Sequence, residues 1–402
     1  MSRKENCLFS GLIASLSLAL DLEENRKLYH AWRVALLSWP ISKIICPREA
    51  GIIFYGALLH DIGAIGMDDH IVHKAVHGTT DAIEIRRHPQ RGAAIIKIIP
   101  ELKHAARYIL EHHEMWNGSG YPKGLKGNEI SLGAQIIAAA DLFDVILRRV
   151  GKIPLEGMLN KIRSYVSSYI SEEIFGVLLQ VLTTDFYNQL QSDQGLEEAM
   201  KEVLKKVPPP SEKLNDTTST TSALAAVIDA KHQYTAGHSE RVALYALNIG
   251  SEMGLNLNEM EKLQRAGLLH DLGKIGVPRS ILDKPGGLTK EEFGIIKKHP
   301  QGTIDILSMI DVFNDIAYIA GGHHERVDGQ GYPYGLYRDE IPLMGRILAV
   351  ADAFDAITSN RPYQPTRNKE EAFRILQKNC GSQFDKKVVE AALEGLKDVD
   401  LI

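Results

Sequence analysis

The sequence predicts an all-α fold, built as two helical bundles in tandem. Apolar residues recur at helical spacing through several long segments, namely Ser222 to Met253, Asn258 to His270, Lys290 to Leu307 and Lys369 to Lys378. Runs of alternating β-branched residues, which are typical of strands, are few. A segment rich in histidine, glycine and aspartate also occurs twice, which indicates that one helical unit is used twice.

Composition places the chain among ordinary globular proteins. It has 402 residues, of which 44% are hydrophobic and 24% charged, enough for two or three domains. The net charge is -5 and the pI is near 6.3, so no general attraction to nucleic acid polymers or to a membrane surface is expected. A phosphate-bearing ligand would have to be held locally, by metal ions or a few basic side chains.

Cysteine use and the N-terminal segment both favour a cytoplasmic protein. Cys7, Cys46 and Cys380 are scattered without CxxC spacing, which indicates neither a disulfide framework nor a thiolate zinc site. The apolar run from Leu12 to Leu20 is too short to span a bilayer and lacks a cleavage site. It is predicted to be a core helix.

A proline-rich breaker marks the predicted domain boundary. Pro208, Pro209 and Pro210 are followed by a polar stretch rich in hydroxyl side chains. The predicted organisation is therefore a first domain at 1–206, a linker at 207–219 and a second domain at 220–402.

The internal repeat is close enough to align without gaps over its central part. Residues 112–144 match residues 323–355 at 18 of 33 positions, at a constant offset of 211. The same relation continues outward with small shifts, since the His60-Asp61 pair matches His270-Asp271 at an offset of 210. Shifts of this size are expected from loop insertions, so the two halves are copies of one unit.

Each copy carries the same five histidines and two aspartates as candidate metal ligands. In the second half these are His238, His270, Asp271, His299, His323, His324 and Asp352. In the first half they are His30, His60, Asp61, His88, His112, His113 and Asp141. A single histidine is usually a surface or core residue, as we expect for His73, His77, His104 and His232, but packing alone does not explain a set that recurs at nearly fixed spacing.

The size and chemistry of the set predict a pair of divalent ions. Seven ligands are too many for one ion that keeps an open position and enough for two ions that share a carboxylate. With no thiolate present, the set favours iron, manganese or zinc. Two such ions can generate hydroxide at neutral pH and hold phosphate oxygens, which points to hydrolysis of a phosphate ester.

Two basic residues distinguish the second half from the first. Lys274 follows the His270-Asp271 pair by three residues, where an ammonium can bind a phosphate oxygen, although a solvated lysine at a helix end is the simpler alternative. Arg361 follows the last carboxylate and suits forked phosphate binding, or else contacts helix-end carbonyls. The aligned first-half residues are Ala64 and Val150.

These residues resemble the HD-GYP family, a branch of the HD-domain metal-dependent phosphohydrolases. In the second half the resemblance runs from about Thr220 to Leu396. It includes the motifs His270-Asp-Leu-Gly-Lys274, Lys284-Pro-Gly286, His299-Pro300, His323-His-Glu-Arg-x-Asp-Gly-x-Gly-Tyr-Pro333 and Thr358-Ser-x-Arg-Pro-Tyr363. The first half is similar over about Leu12 to Asp144, with several of these motifs degraded.

The resemblance implies a bundle of about seven helices per unit and hydrolysis of a cyclic dinucleotide. Cyclic di-GMP, cleaved to pGpG and GMP, is the first expectation, and cyclic GMP-AMP is the alternative. It also implies a site of two or three ions, often iron or manganese, with Asp271 as the bridge, Lys274 beside the scissile phosphate, and Tyr332 and Arg361 near the nucleotide.

Departures from the family pattern bear on metal number and phosphate binding. Tyr234 and Arg26 stand where a glutamate is expected for a third ion, so two ions are predicted. Gln364 replaces a basic residue after Arg-Pro-Tyr. The first half lacks the phosphate-binding residues and the Lys-Pro-Gly segment, which reads Lys74-Ala-Val here.

Three functions are compatible with these residues. The leading one is a phosphodiesterase active in the second half, with the first half regulatory, as a partner within a pseudo-dimer or in a homodimer. The second is a nonhydrolytic cyclic-dinucleotide sensor or signalling scaffold, favoured by the degraded first half and Gln364. The third is a general nucleotide phosphohydrolase, which would have no special use for Arg361 or the Gly-Tyr-Pro loop.

Overall fold

The fold is almost entirely helical, as predicted. The computed structural model describes residues 3–23, 26–65, 83–208, 221–222, 225–226, 229, 237–284, 286–309, 311–359 and 367–400. The only strands among these residues are an antiparallel pair, β1 (Leu22–Glu23) and β2 (Arg26–Lys27). The all-α prediction is confirmed. None of the described helices has the length and apolarity needed to cross a bilayer.

The chain divides into two compact units, residues 1–217 and 218–402, here called the first and the second unit. The predicted boundaries at 206, 207–219 and 220 remain predictions, since residues 209–220 lie outside the described residues. Val207 is fully buried, and the Tyr55 hydroxyl donates a hydrogen bond to the Pro208 carbonyl at 3.3 Å. The first two residues of the predicted linker therefore pack in the first unit.

The first unit has ten described helices. They are α1 (Arg3–Leu20), α2 (His30–Ile45), α3 (Ala50–Leu58), α4 (Ile83–Ile96), α5 (Ala105–Glu111), α6 (Leu132–Val150), α7 (Leu155–Arg163), α8 (Glu172–Val181), α9 (Thr184–Leu190) and α10 (Asp193–Leu204). Short 3-10 turns lie at Ile62–Ala64, Pro100–Leu102 and Gly127–Glu129.

Helix α2 is the centre of the first unit and packs against α3 and α6. Its Trp32 is buried, as are Phe54 of α3 and Phe143 of α6, and full burial of each such side chain contributes about 1.5 to 3 kcal/mol. The segment from Leu12 to Leu20, predicted to be a core helix, lies in α1 with its leucines buried except Leu20.

The second unit repeats this plan. Its described helices are α11 (His238–Glu252), α12 (Leu257–Leu269), α13 (Arg279–Leu282), α14 (Lys290–Ile296), α15 (His299–Ser308), α16 (Asn314–Gly321), α17 (Leu343–Thr358), α18 (Lys369–Lys378) and α19 (Lys386–Gly395). Short 3-10 turns lie at Leu272–Gly276, Asp311–Phe313 and Arg338–Glu340. Helix α11 packs against α12, α17 and α19, and Tyr245 meets Phe354 edge to face with ring centroids 5.0 Å apart.

Side-chain caps define where several of these helices begin. Asn256 accepts a hydrogen bond from the Glu259 amide at 3.1 Å while the Glu259 carboxylate accepts one from the Asn256 amide at 2.9 Å. Thr289 and Glu292 form the same reciprocal pair at the start of α14. Each cap satisfies amides that the first helical turn leaves unpaired, worth about 1 kcal/mol.

Two predicted helical segments are wrong in extent. Within Ser222 to Met253, α11 begins only at His238, after Gly237 with its left-handed φ of 70°, and residues 223–224, 227–228 and 230–236 lie outside the described residues.

The segment from Lys290 to Leu307 is not continuous, because a turn at Lys297–Lys298 separates α14 from α15. Pro300 has no amide hydrogen to donate to the Ile296 carbonyl, as a continuous helix would require. That carbonyl lies 2.7 Å from Nδ1 of His299 instead.

Candidate metal centre

In the second unit, the predicted ligands converge from the ends of helices onto Asp271. His238 begins α11, the His270-Asp271 pair follows α12, His299 begins α15 and His323 follows α16, while Asp352 lies within α17. The side chains of His238, His270, Asp271, His299 and His323 are almost completely buried. The structure brings together all seven residues predicted from the sequence of this half, since His324 lies against His323 with ring centroids 4.1 Å apart.

The two carboxylate oxygens of Asp271 face different histidines. Oδ2 lies 3.5 Å from Nε2 of His238 and 3.4 Å from Nε2 of His270. Oδ1 lies 3.3 Å from Nε2 of His299 and 3.8 Å from Nε2 of His323. Ligand atoms at right angles around an ion with bonds of about 2.1 Å stand about 3 Å apart. The arrangement therefore suits a carboxylate placed between two ions.

Main-chain carbonyls orient three of these histidines in the same way. Nδ1 lies 2.6 Å from the Gly267 carbonyl in His270, 2.7 Å from the Ile296 carbonyl in His299 and 2.6 Å from the Ala320 carbonyl in His323. A carbonyl oxygen only accepts, so Nδ1 carries the proton and Nε2 keeps its lone pair for the cluster. Each acceptor belongs to the residue three positions before the histidine.

His238 is oriented instead by a carboxylate that the sequence reasoning missed. Its Nδ1 lies 2.7 Å from Oδ2 of Asp355, and Asp355 also accepts a hydrogen bond from Nε of Arg241 at 2.6 Å. Burial opposes ionisation of Asp355, but His238 and Arg241 outweigh it and lower its pKa to about 2. Arg241 and Asp355 recur in the first half as Arg33 and Asp144, a signal that was available in the sequence.

The protonation states of the cluster fit a divalent metal. Burial and neighbouring imidazoles lower the pKa of His323 to about 3 and hold the pKa of His324 well below its usual value. Burial opposes the ionisation of Asp271, but the surrounding imidazoles and Lys274 keep its pKa well below the usual value. Metals bind neutral imidazole and ionised carboxylate.

Buried polar atoms without hydrogen bonds also indicate a missing partner. Nε2 of His270 and Oδ1 of Asp271 are buried and make no hydrogen bond among the described residues. Such atoms are costly unless something binds them. His238 differs, because its hydrogen bonds with Asp271 and Asp355 outweigh burial and raise its pKa to about 9, so it would release a proton on binding a metal.

The first unit contains the same arrangement around Asp61. Oδ2 of Asp61 lies 3.4 Å from Nε2 of both His30 and His60. Oδ1 lies 3.2 Å from Nε2 of His88 and 3.7 Å from Nε2 of His112. Of the remaining predicted ligands, Oδ1 of Asp141 lies 3.6 Å from Nε2 of His30, and His113 groups with Asp61, His88 and His112. All seven predicted residues of this half are therefore brought together.

The orienting hydrogen bonds are also repeated in the first unit. Nδ1 lies 2.8 Å from the Ala57 carbonyl in His60, 2.5 Å from the Ile85 carbonyl in His88 and 2.6 Å from the Ile109 carbonyl in His112. Nδ1 of His30 lies 2.6 Å from Oδ2 of Asp144. Burial and the imidazoles of His30 and His112 lower the pKa of His60 to about 4. Burial opposes the ionisation of Asp61, but the surrounding imidazoles keep its pKa well below the usual value.

A basic residue is present at the second centre and absent from the aligned position of the first. Nζ of Lys274 lies 2.6 Å from Oδ2 of Asp271, with the lysine side chain 22% exposed, so its ammonium stands at the accessible edge of the cluster. Ala64 occupies this position in the 3-10 turn of the first unit. Arg361 and Gln364, predicted to bear on phosphate binding, lie outside the described residues.

The Gly-Tyr-Pro loop is held over each centre by a buried glutamate. The Glu325 carboxylate accepts hydrogen bonds from the Tyr334 amide at 2.7 Å and the Leu336 amide at 2.9 Å. A side chain on Gly331 would place its Cβ 2.4 Å from the Arg326 amide nitrogen, so only glycine fits there. In the first unit Glu114 makes the same two bonds, to the amides of Lys123 and Leu125.

The loop tyrosine contacts both a predicted ligand and a cation in each unit. In the second, the Tyr332 ring is 4.8 Å from the His324 ring and Nζ of Lys297 lies 5.0 Å from the Tyr332 centroid. In the first, Tyr121 is 4.9 Å from His113, and the Arg86 guanidinium lies 4.7 Å from the Tyr121 centroid. Lys297 and Arg86 were not predicted as site residues. The sequence indicates them only in that two basic residues align at the offset of 211.

Comparisons with known proteins agree with this geometry. The sequence profile of the HD domain family matches residues 52–170 and 222–388. The chain is 34% identical over 311 residues to the 3'3'-cGAMP-specific phosphodiesterase 3 of Vibrio cholerae, covering 76% of this chain and 66% of that protein. It is 46% identical over 164 residues to a cyclic di-GMP phosphodiesterase of Thermotoga maritima, covering 40% of this chain and 45% of that protein.

A solved structure resembles the chain through almost its whole length. The crystal structure of a cyclic GMP-AMP specific phosphodiesterase of V. cholerae, V-cGAP3, superposes with a TM-score of 0.67 at 28% sequence identity. The alignment covers 97% of this chain and 98% of that one.

Proposed function

The chain belongs to the HD domain family, in the group of its cyclic dinucleotide phosphodiesterases, and from this premise we propose that its second unit hydrolyses a cyclic dinucleotide. The observation that carries the assignment to this unit is the Lys274 ammonium 2.6 Å from Asp271, which stands between two groups of imidazoles. The first unit has the same ligands without this cation.

The ligands divide between the two oxygens of Asp271. His238, His270 and Asp352 form the group on the Oδ2 side, and His299, His323 and His324 form the group on the Oδ1 side. Two divalent ions, with iron or manganese expected before zinc, would supply a hydroxide nucleophile at neutral pH and neutralise charge that develops on the phosphate. Asp355 and the three main-chain carbonyls keep the imidazoles aimed at these positions before any metal arrives.

The remaining roles belong to the protein's own side chains. The Lys274 ammonium binds an oxygen of the scissile phosphate and stabilises the charge that develops there. The Tyr332 ring, fixed on His324, forms one wall for the nucleotide, and Glu325 keeps the loop in place. Arg361 is retained as a proposed phosphate contact on the basis of its sequence position.

Two substrates compete within the class. The sequence reasoning favoured cyclic di-GMP, the substrate named for the relative that matches 40% of the chain. The relative that matches 76% of the chain, more than one unit alone, is named for 3'3'-cGAMP. Both must therefore be tested, and the tandem match supports giving 3'3'-cGAMP equal weight.

The alternative function is a nonhydrolytic sensor of the same ligands. The test is anaerobic purification with quantification of bound metal, followed by incubation with each dinucleotide. We expect wild type and His60→Ala to produce the linear dinucleotide and His270→Ala to produce none. Wild-type protein loaded with metal that bound a dinucleotide without consuming it would establish the sensor instead.

A further inference from the structure

We propose that the first unit binds a cyclic dinucleotide and does not hydrolyse it, with Arg86 as the residue that binds one of the ligand's two phosphates. The proposal rests on the proposed function, since it takes its ligand class from the second unit. The first unit has Tyr121 and Arg86 beside its candidate metal ligands, and it has Ala64 at the position of Lys274.

Tyr121 contacts both a candidate ligand and a cation in the first unit. The ring of His113 lies 4.9 Å from the ring of Tyr121 at an angle of 30°, and the Arg86 guanidinium lies 4.7 Å from the Tyr121 centroid. Arg86 is exposed, so its guanidinium reaches solvent at the edge of the cluster. A guanidinium on the face of an aromatic ring combines a cation–π contact with the planar set of N–H donors that matches a phosphate.

The first unit lacks one of the two basic side chains found in the second unit and has a different basic side chain in place of the other. The second unit has two lysines at its centre, Lys274 beside Asp271 and Lys297 over Tyr332. The first unit has Ala64 in place of Lys274 and Arg86 in place of Lys297. An arginine forms two parallel hydrogen bonds with a phosphate, whereas a lysine provides a point charge. The change from lysine to arginine over the loop tyrosine therefore favours phosphate binding in the first unit.

A cyclic dinucleotide has the chemistry that this arrangement recognises. It carries two phosphodiester groups in one ring, so one phosphate can lie at the metal positions around Asp61 while Arg86 binds the other. Ala64 provides no ammonium beside Asp61, and charge that develops on the phosphate is left without the stabilisation that Lys274 gives in the second unit. Binding without turnover follows from this difference.

The test is calorimetric titration of the full-length chain with its second unit disabled. The His270→Ala, Asp271→Ala double variant, loaded with Mn²⁺, is titrated with 3'3'-cGAMP and with cyclic di-GMP. We expect one site per chain and no linear product. Adding Arg86→Ala is expected to weaken binding about tenfold or more, because one charge-assisted contact is lost, and Arg86→Lys to weaken it less. Arg87→Ala, which removes an exposed neighbouring charge, is the matched control and should leave binding unchanged.

Two results would overturn the proposal. One is Mn²⁺ bound at the first unit with no dinucleotide binding, and the other is binding that Arg86→Ala leaves unchanged. If the double variant is unstable, the titration is repeated with Lys274→Ala, which keeps every candidate metal ligand. Two sites per chain are then expected. Failure of the proposed function would show differently, as wild-type protein that consumes neither dinucleotide, and it would leave the number of binding sites measurable.

Discussion

The two units hold their histidines in nearly the same geometry yet differ in the charges around them. The carboxylate at the centre faces two imidazoles at 3.4 Å in the first unit and at 3.5 and 3.4 Å in the second. Beside it stands Lys274 in one unit and Ala64 in the other. The comparison teaches that a cage suited to metal and the residues that would use the metal are independent parts of this fold.

The aspartate that orients the first histidine has more arginine partners in the first unit than in the second. Asp144, which orients His30, pairs with both Arg33 and Arg148, the latter at 2.6 Å. Its counterpart Asp355 pairs with Arg241, and Ser359 stands where the first unit has Arg148. The unit without a counterpart of Lys274 therefore has more charged side chains around the aspartate that orients its first histidine.

The largest expected effect separates the two cages directly. The double variant His270→Ala, Asp271→Ala should reduce dinucleotide hydrolysis to the level of metal-free protein, because it removes the central carboxylate. The matched double variant His60→Ala, Asp61→Ala should retain hydrolysis. Product formation followed by chromatography checks both. If the first-unit variant lost turnover while the second-unit variant kept it, catalysis would lie in the first unit.

The next effect isolates the cation that distinguishes the units. Lys274→Ala should lower kcat by roughly 100- to 1,000-fold, the range for removing one preorganised group that stabilises transition-state charge, with bound metal unchanged. Lys378→Ala removes an exposed lysine at the end of α18, away from the candidate ligands in the chain, and serves as the control. Steady-state kinetics with metal quantification is the measurement, and an unchanged kcat would remove Lys274 from the mechanism.

A smaller effect compares the carboxylates that orient the first histidine of each cage. Asp355→Asn should weaken metal binding in the second unit about 10- to 100-fold, as for other residues that support a metal ligand. Asp144→Asn should do the same in the first unit and leave hydrolysis intact. Metal titration of each variant tests this, with the exposed Asp339→Asn as the control. Equal metal binding by all three variants would contradict the orienting role.

The smallest effect concerns two hydrogen bonds made by a side chain that the first unit lacks. The Thr303 hydroxyl donates to the His270 carbonyl and accepts from the Gly273 amide, both at 2.9 Å, where the first unit has Gly92. Thr303→Val leaves both buried groups unpaired and should lower the free energy of unfolding by about 1 to 3 kcal/mol. Urea unfolding measures it, with the exposed Ser251→Ala as control. No loss of stability would mean that water replaces the hydroxyl.

The fold class and the grouping of candidate ligands could be predicted because both depend on sequence patterns that the two halves share. Helical periodicity predicted the all-α class, which the structure confirms. The fourteen candidate ligands, seven in each half, lie in two clusters. The continuous helix from Lys290 to Leu307 was wrong, because a turn at Lys297–Lys298 interrupts it. Pro300 alone does not account for the turn, since α4 continues past the aligned Pro89.

The repeat marks residues such as Arg241 and Asp355 as recurring, but it does not show what they contact. Asp355 pairs with a histidine 117 positions away, and Lys297 gains its role only by standing over Tyr332. Neither partner is local in the chain, so spacing along one helix carries no information about it. Glu325 was read as part of a motif, but its bonds to two loop amides depend on how the loop folds back.

The histidines whose Nδ1 binds a main-chain carbonyl have a further consequence, which concerns how such a site tolerates mutation. The acceptors for His60, His88 and His112 are carbonyls of Ala57, Ile85 and Ile109, and every amino acid has that group. Substitution at these three positions changes the side chain and leaves the acceptor in place as long as the helix keeps its course. A duplicated copy can therefore lose residues such as Lys274 over generations while its imidazoles stay aimed, which leaves a ready-made binding cage open to selection for another role.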